Sequence, residues 1–116
     1  MPARQNLKTV ASDEVQGDGS WVKLRPYTVA QHNQRAMLLR RAQAAETEAE
    51  TQAIEAELWA LFAEVLVSWN WVGDDGAPLP QPTDADVYQL LTMPEMQFLG
   101  RAVQEASTLA DEKKAS

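Results

Sequence analysis

The chain has 116 residues, no cysteine, and 10 Lys and Arg against 17 Asp and Glu, for a formal net charge of -7. That length supports one domain with a single core, and the missing cysteine removes disulfides and thiolate metal sites and fits a reducing cytoplasm. The acidic balance argues against a nucleic-acid binder, which needs a basic face toward the phosphates.

Residues 1–45 contain seven Lys and Arg against three acids, and residues 46–116 contain three against fourteen, so the two parts carry +4 and -11. Such asymmetry can be neutralised within one fold or between neighbouring copies, which leaves self-association open. The longest apolar run, Leu58 to Val72, is broken by Glu64, Ser68 and Asn70 and falls short of the ~20 residues of a membrane span. The amino terminus has no apolar signal region, so neither a membrane nor secretion is expected.

Residues 1–20 are polar, with a Gly17-Asp18-Gly19-Ser20 joint, and read as a flexible tail. From Trp21 to Tyr27 the side chains alternate, with Val22 and Leu24 on one side and Trp21, Lys23 and Arg25 on the other, as in a short strand that Pro26 stops. Its pairing partner stays open. Thr28 followed by Gln31 fits a capping box and starts a weakly amphipathic helix. That helix runs into the polar segment around Glu46 to Thr51. Thr47 with Glu50 can cap a fresh start, so residues 29–71 form one long helix or two with a break near 46–51.

At helical spacing Ile54, Leu58, Leu61, Phe62, Val65, Leu66, Trp69 and Val72 fall on one wide face, with Trp59 at its edge. Trp71 projects to within about 20° of Glu64, away from that stripe. Either the helix has ended by then and the indole folds back, or Trp71 meets something other than the core. Gly73-Asp74-Asp75-Gly76 is turn chemistry, and Pro78, Pro80 and Pro82 favour an extended path whose Leu79 packs inward. Thr83 or Asp84 caps a short helix through Val87, Leu90 and Leu91. Thr92, Pro94 and Glu95 open a last helix that presents Met96, Leu99, Val103 and Ala106 with Phe98 and Ala102. Its end, residues 111–116, reads as a second flexible tail. The expected fold is therefore mainly α: a single helical domain over residues 21–110, a bundle of three to four helices with one short N-terminal strand.

Catalytic chemistry is sparse. His32 is the only histidine and has no paired nucleophile. Asp74, Asp75, Asp84 and Asp86 lack the alternate spacing and late glutamate of a calcium loop. No phosphate loop, nucleophile elbow or zinc-protease motif is present, so the expectation is a non-enzymatic protein with no cofactor, no metal and no catalytic residue.

The order of elements, a short strand leaving through KLRPYT, a first helix, an apolar helix leading into SWNWVGDDGAPLPQPTDADVYQLL, and a closing helix, resembles the tail assembly chaperones of long-tailed bacteriophages over roughly residues 20–106. The resemblance implies a small, mostly helical protein of the host cytoplasm that acts during virion assembly, keeps the tape-measure protein soluble and helps recruit tail-tube subunits. The family has no invariant site to transfer. Packing arguments instead place Trp69, Trp71, Val72, Leu79, Leu90 and Phe98 around a partner-binding face that accepts amphipathic helices. The alternative is a structural virion component such as a tail-completion or connector protein.

Overall fold

A computed structural model describes the backbone of residues 7–115 and the side chains of residues 7–107. Its elements are β1 (Lys8–Ala11), α1 (Asp13–Gln16), β2 (Trp21–Leu24), α2 (Val29–Ala44), α3 (Glu48–Val65), β3 (Leu66–Trp69), a 3-10 helix (Ala85–Leu90) and α4 (Met93–Ala115). The strands form an antiparallel sheet in the order β1-β2-β3. The fold is thus a mixed α+β globule, which corrects the expected helical bundle with a single strand. The alternation from Trp21 does form a strand, and its Val22 and Leu24 are fully buried. Both of its edges find partners that the sequence pattern concealed.

The first concealed partner, β1, lies in the predicted N-terminal tail. Residues 8–11 pair with residues 21–24, and α1 and the Gly17–Gly19 joint close the connection. Both glycines sit at positive φ, 96° and 83°, where L side chains are strained. Residues 1–6 of that predicted tail lie outside the described residues. At the other end the backbone is helical through Ala115, where the sequence predicts a tail; Ser116 lies outside the described residues.

The second, β3, was hidden inside the predicted apolar helix. α3 stops at Val65, and the next four residues are a strand. Opposite β2, Lys23 faces Ser68 whereas Leu24 faces Leu66, so Val67 is bulged out of the ladder. In a regular strand Leu66 and Trp69, three apart, would point to opposite faces. The bulge shifts the phase by one residue and turns both inward, to 1% and 3% exposure. A bulged strand therefore reproduces the i, i+3 spacing of a helical stripe.

The long helical stretch breaks at residues 45–47, the two-helix option. The Thr47 hydroxyl accepts from the Glu50 N–H, and Thr28 and Gln31 form a reciprocal capping box. α2 and α3 pack as a hairpin around a small second core of Leu38, Ile54 and Leu61. The main core gathers the sheet, the end of α3, the 3-10 helix and α4 around Leu24, Val65, Trp71, Leu99 and Val103.

Candidate partner-binding face

The geometry of the predicted face follows from how the chain leaves β3. Trp69 and Trp71 are two residues apart in extended backbone and so share a side. Their rings stack, with centroids 4.6 Å apart and planes 1° from parallel. Phe98 of α4 lies 6.2 Å from Trp71, and Tyr88 meets Trp69 edge-on at 6.4 Å. After Val72 the chain reverses. Gly73 N–H donates to the Ala77 carbonyl, Gly76 N–H to the Gly73 carbonyl, and Asp75 Oδ1 caps the Ala77 N–H. Gly76 takes φ 79° to do so. The returning arm runs antiparallel to the outgoing one, with Val72 bridged to Pro78 and Leu79 N–H donating to the Trp71 carbonyl.

The alternating prolines suit this arm because each lacks an N–H that would need a partner. Two of their carbonyls are used: Trp69 Nε1 donates to Pro80 O at 3.0 Å, and the Tyr88 hydroxyl donates to Pro82 O at 2.6 Å. Burial pushes the Tyr88 hydroxyl well above its ordinary pKa, with a smaller push from Tyr27.

Three side-chain amides fasten the remaining backbone. Gln81 receives the Trp69 N–H at 3.3 Å and donates to the Trp69 carbonyl at 3.2 Å. Gln16 holds Val72 in the same two-point way, at 2.9 and 3.0 Å, and also donates to the Glu95 carboxylate. Asn70 accepts from the Trp21 N–H at 2.8 Å and donates to the Gly19 carbonyl at 3.1 Å. An amide carries the donor and acceptor of a peptide group, so Gln81 and Gln16 stand in for a neighbouring strand along the continuation of β3. Beneath them, Trp71 Nε1 donates to Ser12 Oγ at 2.9 Å, Ser12 Oγ to Ser20 Oγ at 2.7 Å, and Ser20 Oγ to the Gly17 carbonyl. This buried relay locks α1 and the β1–β2 connection onto the tryptophan pair.

The predicted face residues are thus partly brought together, but mostly inside. Trp69, Trp71 and Phe98 are buried at 3%, 1% and 5% exposure; this places them in the core and not on a face. The helix has indeed ended before Trp71, and the indole folds back. Val72 and Leu79 are half-buried beside them. Leu90 stands apart at the end of the 3-10 helix, 62% exposed, with Met93 at 71% just beyond. The 3-10 helix turns Val87 and Tyr88 inward and ends with Leu90 outside. Sequence reasoning missed Trp59, which is half-buried and borders a cleft with Gln52, Glu55 and Gln89. Its position at the edge of the apolar stripe was the available signal.

His32 is exposed, and Asp75 and Asp84 serve as turn and cap acceptors. Among the described residues no group of three or more His, Asp or Glu could hold a metal ion, and no helix is long and apolar enough to cross a membrane. No family model matches the chain, and neither a curated protein nor a solved structure matches it.

Proposed function

We propose that the chain is a tail assembly chaperone of long-tailed bacteriophages, acting in the host cytoplasm to keep the tape-measure protein soluble and to help recruit tail-tube subunits. The observation that carries this reading is the tryptophan-to-proline segment. The residues behind the sequence resemblance, from Ser68 through Leu91, form one connected device in which stacked indoles, a glycine-aspartate turn and a proline arm satisfy one another.

On that scaffold the partner contacts fall to the surface, not to the buried indoles. Val29, Met37, Leu90 and Met93 are 79%, 47%, 62% and 71% exposed. Exposed methionines adapt to irregular apolar partners, and exposed apolar side chains are what an amphipathic helix docks against. The net charge of -7 helps keep a loaded complex in solution.

Fractionation of infected cells tests the reading. A chaperone sediments with tape-measure protein in tail assembly intermediates and is missing from purified virions. Stoichiometric incorporation into virions would favour the structural alternative.

A further inference from the structure

Trp59 differs from the buried tryptophan pair. It packs against the main core and also lines a surface cleft of about 450 Å³ with Gln52 and Glu55 of α3 and Gln89 of the 3-10 helix. Residues 52, 55 and 59 follow one another at i, i+3 and i+7, so they line one face of α3. Gln52, Glu55 and Gln89 are exposed. Trp69 and Trp71 donate their indole N–H groups inside the fold. Among the described residues, by contrast, none of the four cleft side chains is held by a side-chain hydrogen bond, ion pair or ring contact.

We infer that this cleft binds an arginine side chain presented by a protein partner. An indole face attracts a cation, and a guanidinium can lie flat against it. The Glu55 carboxylate supplies the opposite charge. The Gln52 and Gln89 amide oxygens add acceptors for a group that has five N–H donors and no acceptor of its own. Lysine, a compact and strongly hydrated point charge, uses such a flat, multi-acceptor site less well. The same helix face has the complementary sign: Glu48 lies one turn beyond Gln52 on the side of α3 that carries Glu55, and α3 contains no lysine or arginine. Leu90 follows Gln89 and is 62% exposed, which offers apolar contact to residues flanking the arginine and favours a peptide over the free amino acid.

The inference does not depend on the tail-assembly reading, because its test uses the chain alone with a small probe. The indole N–H resonance of Trp59, assigned with the Trp59→Phe variant, is followed by NMR during titration with N-acetyl-arginine amide. N-acetyl-citrulline amide, the neutral isostere, is the control. The expected result is a saturable shift at millimolar arginine probe, with binding about fivefold weaker for citrulline and for Glu55→Gln, the scale of one exposed charge interaction. Equal binding of the two probes, an unchanged affinity in Glu55→Gln, or no saturable shift would overturn the assignment. Glu55 is exposed and outside both cores, so its substitution leaves the fold available for the comparison.

Discussion

The buried relay from Trp71 through Ser12 to Ser20 predicts a specific non-additivity. Ser12→Ala removes the acceptor of the indole N–H of Trp71, a residue only 1% exposed, and an orphaned buried donor costs about 1–3 kcal/mol. Trp71→Phe loses the same hydrogen bond, worth about 1 kcal/mol, and part of the stacking on Trp69, worth about another 1 kcal/mol. In the double variant no donor remains to be orphaned, so the combined loss should fall short of the sum by about 1 kcal/mol. Urea unfolding followed by far-ultraviolet circular dichroism, which does not depend on the lost indole, measures all four corners of the cycle. In a thermal melt each kcal/mol corresponds to about 4 °C for a chain of this size. Losses that add within about 0.5 kcal/mol, or a neutral Ser12→Ala, would refute the claim that residues 8–20 are fastened to the core through this relay.

Three further outcomes follow from the same contacts. Gln81→Ala strips both partners from the Trp69 peptide; it should cost about 1–2 kcal/mol and accelerate hydrogen exchange of the Trp69 amide, whereas unchanged exchange would show that the clamp is idle. Gly76→Ala places a side chain at φ 79° with no heavy atom within 4 Å of the new Cβ, so the loss of about 1 kcal/mol should be purely conformational, and a neutral variant would mean that the turn relaxes freely. Burial raises the Tyr88 pKa above its unfolded value. Its contribution is therefore whole below pH ~10 and declines as pH rises toward the higher folded value, by at most ~1.4 kcal/mol per pH unit. Denaturant titrations at stepped alkaline pH should show a flatter decline for Tyr88→Phe than for the parent chain, and identical slopes would contradict the assignment.

The parts of the fold that local chemistry governs were legible in the sequence. The capping residues Thr28, Thr47 and Thr92 mark their helix starts because a hydroxyl three residues before a free N–H acts without the rest of the fold. The inward face of α4 and the alternation of β2 are periodic and visible in the sequence, although β2 ends at Leu24, before the expected stop at Pro26. The other two strands were not legible, for different reasons. β1 is four residues whose pairing is fixed by contacts ten or more residues away, and its burial is slight. β3 was masked because a bulge at Val67 gives Leu66 and Trp69 the spacing of a helix. The same bulge bears on Trp71: by helical angle it falls opposite the apolar stripe, whereas the helix ends at Val65 and the extended backbone folds the indole onto Trp69. Leu90 alone among the predicted face residues is mostly exposed.

Co-expression with the tape-measure protein of a long-tailed phage, followed by size-exclusion chromatography with light scattering, tests the functional reading most directly. A chaperone keeps an otherwise insoluble tape measure in solution and elutes with it as a complex of defined mass. A chain that is folded by circular dichroism yet elutes alone, while the tape measure remains in the pellet, would contradict it.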